Sequence, residues 1–298
     1  MKLIAFPQVG LLIWLVILGS NSSLMGQDTL VLKSGKRIPF TRMVTYEDVV
    51  QVKDYNIKEM IDVLPDSIIG YSQAKKDEDY FMIFPPETGS YLFVERLMTG
   101  SITLYLDQYG GYVLYAKKND ELFELYDAHD NKREREEKLK TLKTLVADDA
   151  ESYGYVSAPG FKLKNKEIQK VLYHYNERNY VERTPTADDV VGTVYLYRTQ
   201  FQKTKNRVRV VLFGETHDLY IRDYIQLNIP IEYASRMLIY DRDIKSDLLI
   251  TGELEDQYYE LLYDGQKDEF VLEPKNGTEQ HYEFYGIKEQ VGEKMSGD

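Results

Sequence analysis

The chain has 298 residues, no cysteine, and 49 acidic against 37 basic side chains, for a formal charge of −12. An apolar fraction of 43% is that of a globular protein and excludes wholesale disorder, and the length suits one large or two ordinary domains. The absence of cysteine excludes disulfides, thiolate metal sites, a cysteine nucleophile and a lipid-bearing cysteine, and the acidic balance argues against nucleic acid as a non-specific partner.

The N-terminus places Lys2 before an apolar run of Leu11, Leu12, Ile13, Trp14, Leu15, Val16, Ile17 and Leu18, followed by Gly19-Ser20-Asn21-Ser22-Ser23. One positive charge, an apolar core and a small-residue exit are the parts of a secretory signal peptide. Leu24 and Gly26 occupy the −3 and −1 positions, so residues 1–26 read as a signal peptide and Gln27 as the mature end. An uncleaved anchor is disfavoured, because the core is far shorter than the ~20 apolar residues of a span. No later segment is apolar enough to cross as a helix. The candidate strands fall short of the ~9–11 residues of a membrane barrel strand and carry charge, so a barrel is not expected either. The reading is a periplasmic or extracellular protein of a Gram-negative envelope, without a transmembrane span once the signal is removed.

Residues 27–80 read as short strands: Thr29 to Leu32 before the Ser34-Gly35 turn, Val49 to Val52, and Ile68-Ile69 after Pro65-Asp66. The charged stretch Ala74 to Tyr80 reads as a loop. Residues 81–185 read as a β meander followed by two helices. Its strands are Tyr91 to Val94, Ile102 to Tyr105, Tyr112 to Tyr115 and Leu122 to Leu125, with Gly110-Gly111 as a hairpin. The period then changes: Leu139, Leu142, Leu145 and Val146 mark a helix over 131–147 with a charged early face. Ile168, Val171, Leu172 and Tyr175 mark another over 165–178, capped by Asn165, with a turn at Ser157 to Gly160 between them. Thr184-Pro185-Thr186 is the clearest linker. Over 187–292 the β signal returns: Val194 and Leu196, and Val208, Val210 and Leu212, alternate with Tyr195, Tyr197, Arg207 and Arg209. Later runs centre on Leu248 to Ile250, Tyr258 to Tyr263, Phe270 to Leu272 and Tyr282 to Tyr285, a pattern of short strands that predicts a β-sandwich. The fold class is therefore mainly β (α+β): an antiparallel meander with a two-helix insert, then a C-terminal sandwich.

Two stretches carry a resemblance. Gly100 to Tyr105, with Glu121 to Leu125 and the helix end at Tyr175-Asn176, looks like an uncharacterised secreted family of Gram-negative envelope proteins. Val194 to Arg198, with Tyr258-Tyr259, is similar to a small β-sandwich domain of unknown function found in envelope proteins and lipoproteins. The resemblance implies a location and a fold class and brings no catalytic residues.

The chemistry-bearing motifs are sparse. The chain has no phosphate-binding Gly-rich loop, no Gly-x-Ser-x-Gly elbow and no His-Glu-x-x-His pair. His129, His174, His217 and His281 fall on different predicted elements, so scattered histidines are favoured over a zinc site. Glu215-Thr216-His217-Asp218 places an acid beside a histidine on a predicted turn, but no nucleophile accompanies it. Asp127 to Asn131 and Asp241 to Asp243 lack the glycine and terminal glutamate of a calcium loop, and the first reads better as a strand end that caps the next helix. Neither a metal nor a cofactor is expected.

Tyrosine is the compositional oddity, at 26 against 11 phenylalanines. Exposed tyrosines bind partners and stack on sugars, whereas strand propensity explains half-buried ones. The candidate binding residues are Tyr195, Tyr197, Tyr258 and Tyr259. The sequence thus predicts a non-enzymatic binding or adaptor protein that uses sheet surfaces, with an envelope protein or a glycan as partner. The alternatives are a tyrosine-mediated glycan-binding module and a hydrolase whose carboxylates converge from distant strands. One test is immediate. Trp14 is the only tryptophan, so the protein recovered from the envelope should show tyrosine emission alone; tryptophan emission from it would mean that the leader is retained.

Overall fold

The computed structural model describes residues 28–73, 78–199 and 207–275, together with 284, 286–288 and 291. The expected signal peptide and the last seven residues lie outside these. The first unit is built from ten strands: β1 (Asp28–Leu32), β2 (Arg37–Thr45), β3 (Val50–Asp54), β4 (Met60–Val63), β5 (Ile68–Gln73), β6 (Glu78–Ile83), β7 (Leu92–Met98), β8 (Thr103–Asp107), β9 (Val113–Lys118) and β10 (Glu121–Tyr126). They form one antiparallel sheet in the order β10-β9-β8-β7-β6-β5-β1-β2-β3-β4. The hydrogen-bonded sheet runs without a break through the position that separates residues 27–80 from 81–185. The charged stretch expected as a loop is partly strand, since Glu78, Asp79 and Tyr80 belong to β6; residues 74–77 lie outside the described set.

One step in this sheet breaks the meander. β4 ends at Val63 on one edge, yet β5 begins at Ile68 and pairs with β1. Four strand spacings of ~4.8 Å are about 19 Å, more than the ~17 Å that the short connection can reach when fully extended. The sheet must therefore curl, and the 3-10 turn Pro65–Ser67 closes the gap. The curl encloses a core of Leu30, Phe40, Val52, Val63, Ile68 and Tyr71. The opposite face of the same strands is covered as well: Val31, Ile69 and Phe81 lie against Ile231 and Leu254 of the C-terminal unit. Coverage on both faces explains why Ile68-Ile69-Gly70-Tyr71-Ser72 is buried throughout and shows no alternation.

Helices cover the other end of the sheet. Beside the expected α1 (Lys132–Leu145) and α3 (Asn165–Arg178) there is a third, α2 (Ala150–Ser157), so the insert has three helices where the sequence reading has two. A short helix that turns little more than twice presents too few apolar positions to register as a period; Val156 is its one buried apolar residue. Its N-cap Asp149 accepts from the Ser152 N–H. Asn131 caps α1 in a full capping box with Glu134, as the sequence suggests. Asn165 does not cap α3: it is the first helical residue, Lys164 precedes it, and its side chain accepts from Gln169 instead. Leu142, Leu145, Ile168, Val171 and Leu172 pack on Ile102, Leu104, Leu114 and Leu125, which joins helices and sheet in one core.

The C-terminal unit is a sandwich of two four-stranded sheets. One contains β11 (Val191–Arg198), β14 (Asp223–Pro230), β17 (Gln257–Asp264) and β18 (Glu269–Pro274), in the order β14-β11-β17-β18. The other contains β12 (Arg207–Leu212), β13 (Glu215–Tyr220), β15 (Ser235–Asp241) and β16 (Ile244–Ile250), in the order β13-β12-β15-β16. β11 and β17 pair in parallel. The alternation read from sequence holds, with Val194, Leu196, Val208, Val210 and Leu212 buried between the sheets. Phe284 is helical, not part of a strand as the run Tyr282 to Tyr285 suggested. None of the described helices is long and apolar enough to cross a membrane.

Asn176 closes the first unit. Its carboxamide accepts from the Ile102 N–H at 2.9 Å and donates to the Ile102 carbonyl at 2.8 Å, which makes it a side-chain strand partner at the start of β8. Gly100 lies beneath it: a Cβ there would come within 2.3 Å of the Asn176 side chain. Gly100, Ile102 and Asn176, from two stretches of the motif that carries the resemblance, thus touch one another. Asn176→Ala should orphan two buried backbone groups and destabilise the protein by about 2–4 kcal/mol, read as a drop in melting temperature, whereas Gln169→Ala on the same helix should cost well under half of that.

Candidate functional site

The four tyrosines singled out by sequence do not share one surface. Because side chains alternate along a strand, Tyr195, Tyr197 and Tyr258 fall on the outer face of their sheet and Tyr259 on the inner side. Tyr195 stacks on Tyr258 with centroids 4.9 Å apart, and Phe284 packs on both rings. Tyr197 is fully buried beneath Phe284 and Ile287. These three form a small aromatic core under the C-terminal helical residues. Tyr259 instead lines a cleft between the two units.

Other sequence candidates stay apart. Glu215 to Asp218 lie on strand β13 and not on a turn, so Glu215 and His217 share one face and Thr216 and Asp218 the other. His129 sits beside Asp127 at 3.1 Å and His174 beside Glu177 at 3.1 Å, both at the surface; His281 lies outside the described residues. Glu124, Asp127 and Asp130 gather closely enough to suggest a cation, but Lys138 forms ion pairs with both Glu124 and Asp130 and takes that place.

The densest polar constellation lies where the two units meet. Arg96 of β7 is the hub, with a side chain only 4% exposed. It donates to the Ile231 carbonyl, to the Gly252 carbonyl at 3.0 Å and to the Glu253 carboxylate at 2.5 Å. Its guanidinium carbon also lies 4.0 Å from the centre of the Phe81 ring, a cation–π contact. From β6, Asp79 accepts from the Leu254 N–H at 2.8 Å, and from β2 Arg37 donates to the Leu254 carbonyl. One loop, residues 251–256, is thus gripped by three strands of the other unit. Gly252 lets it pass: a Cβ there would stand 2.1 Å from the Ile229 carbonyl oxygen.

The electrostatics follow from burial. Asp79 is pushed up from 3.8 to about 7, first by desolvation and then by the Glu253 charge, against the lowering effects of the Leu254 N–H and Arg96. Glu253 is also raised, by desolvation, while Arg96 opposes the shift. Burial therefore keeps Asp79 partly protonated near neutral pH. Beside them opens a cleft of about 340 Å³, whose lining includes Arg96, Met98 and Thr99 of the first unit and Glu253, Gln257 and Tyr259 of the second. The Gln257 amide donates to the Tyr259 hydroxyl at 2.9 Å. Its Oε1 is buried and has no hydrogen-bond partner among the described residues.

Sequence reasoning overlooks this constellation apart from Tyr259. Asp79 and Glu253 are 174 positions apart, and neither stands in a motif. The close glycine Gly252 before an acid is the one local signal, and it marks a turn as readily as a site. Comparison of the chain with protein-family models, with curated proteins and with solved structures finds no match.

The sign of the pH effect is fixed by the raised Asp79. Folded protein binds more protons than unfolded protein between pH ~4 and ~7, so this group lowers stability as pH rises across that window and has no further effect above it. Asp79→Asn keeps an acceptor for the Leu254 N–H and removes the titration. The variant should gain stability relative to the wild type between pH 5 and pH 8, measured by thermal unfolding at each pH. A difference that stays constant with pH would refute the raised Asp79.

Proposed function

We propose that the protein is an exported component of the cell envelope that acts as a non-enzymatic binding or adaptor protein, engaging its partner through a sheet edge. The observation behind this reading is β4. Among the described residues it pairs only with β3. The Asp54 N–H donates to the Glu59 carbonyl, and with Lys53 opposite Met60 the alternation of an antiparallel ladder turns the backbone groups of Met60 and Asp62 away from β3. The flanks are apolar and open: Ile57, Met60 and Leu64 are 57%, 47% and 64% exposed. Open backbone groups beside exposed apolar side chains are what an incoming extended segment uses in β-augmentation.

Two further points support the choice of edge. The end strand β10 lies against α1, and in the sandwich the edge strands face each other in pairs, β13 with β14 and β16 with β18. β4 is flanked by neither. The leader and the acidic surface read from sequence fit an exported protein, and the partner expected is another envelope protein.

In-cell crosslinking with pull-down and mass spectrometry tests the reading. Asp62→Pro removes an amide that does not serve the β3 ladder, so it should leave the melting temperature within a few degrees of the wild type while abolishing the crosslink. A single reproducible protein partner lost in this variant supports the reading. Recovery of polysaccharide alone, or a partner indifferent to Asp62→Pro, overturns it.

A further inference from the structure

We propose that the junction between the two units is a proton-controlled latch: proton uptake by Asp79 holds the loop 251–256 against the sheet, and proton loss frees that loop. The architecture allows this contact to open by itself. The sandwich has its own core around Val194, Val210 and Ile239, and the first unit has separate cores around Leu30 and Leu104. The apolar cluster that joins the units is small: Val31, Ile69 and Phe81 against Ile231 and Leu254. Opening there leaves each of the larger cores intact. The polar ties across the junction converge on the same loop, with Arg96 on Gly252 and Glu253 and with Arg37 and Asp79 on Leu254.

The surroundings of Asp79 make its charge costly while the loop is docked. The loop brings the Glu253 and Glu255 charges close to it, and β7 brings Arg96. Arg96 spends its ion pair on Glu253 and its other bonds on the Ile231 and Gly252 carbonyls, and Asp79 has no ion pair of its own among the described residues. From β5, Ser72 stands opposite Asp79 in the strand register, yet its Oγ is buried without a hydrogen-bond partner among the described residues. The Leu254 N–H is the one donor on the Asp79 carboxyl. Arg37 of β2 is engaged on the Leu254 carbonyl, and Tyr105 and Lys117 act on Glu232 elsewhere along the junction. A desolvated carboxylate with a single donor and two acids nearby favours its neutral form. Once the loop leaves, water reaches Asp79 and its ordinary proton affinity returns. The docked form therefore holds an extra proton between pH ~4 and ~7, and its advantage falls by up to about tenfold per pH unit across that window and no further above it. This latch is independent of the β4 edge, which lies on another strand of the sheet.

Hydrogen exchange of the purified full chain reads the latch at the Leu254 amide, after correction for the intrinsic pH dependence of exchange. Protection there should fall about thirtyfold between pH 5.5 and pH 8. It should also be at least about tenfold weaker than protection in β12 and β15, because the loop opens without unfolding the sandwich. Asp79→Asn keeps an acceptor for the Leu254 N–H and should abolish the pH dependence. Protection of Leu254 that does not vary with pH, a variation that survives in Asp79→Asn, or protection equal to that of β12 and β15 would each overturn the latch. Should Asp79→Asn fail to fold, Glu253→Gln decides the matter. Without the neighbouring charge Asp79 gives up its proton at lower pH, so the fall over the same interval should shrink severalfold; an unchanged fall refutes the latch.

Discussion

The arrangement of the two units depends on a single buried cation. Arg96 sits on a strand of the first unit and gives its hydrogens to two carbonyls and a carboxylate of the second, with the Phe81 ring beneath it. A guanidinium taken out of water is costly unless its donors are met, and here the partners come from two separate loops of the sandwich. The apolar contact around it, Val31, Ile69 and Phe81 against Ile231 and Leu254, adds area and little direction. Arg96 supplies the direction, because a planar fork of donors fits one orientation of its acceptors.

That contact has consequences on both sides. In the first unit it covers the outer face of a sheet whose inner face is already filled by the curl, so β5 is buried from Ile68 to Ser72 and β1 and β6 are buried at Leu30-Val31 and Tyr80-Phe81. In the sandwich it fixes the loop after β16, and with it Glu253 and the wall of the cleft. Asp79 holds the Leu254 amide of the same loop, and its burial near the Glu253 charge raises its pKa. Structural grip and a perturbed acid arise from the same residues at this junction.

The aromatic residues divide by the same logic of faces. Tyrosine serves as packing under Phe284 where the outer face of a sheet is covered, and as a polar wall where Tyr259 reaches the junction. At the far edge of the first sheet, where among the described residues no strand pairs with the outer side of β4, the apolar residues Ile57, Met60 and Leu64 stay in water. One end of the sheet is thus closed by helices, its middle by the sandwich, and its other end left open.

Local patterns were enough to read much of this from the chain. Alternation at Val194 to Tyr197 and Val208 to Leu212 marked the sandwich strands, the 3.6 period over Ile168 to Tyr175 marked α3, and Asn131 marked a helix start, because each signal lies within a few residues of what it forms. A short helix such as α2, with Val156 as its one buried apolar residue, left no period to detect, and strand β6 was hidden by the charges of Glu78 and Asp79. The junction was invisible for a different reason. Arg96, Asp79 and Glu253 are ordinary charged residues in sequence, and only the curl of the sheet and the placement of the sandwich loop against it bring them together. Burial and proximity, which set the Asp79 proton and open the cleft, are properties of that tertiary contact and of no segment by itself.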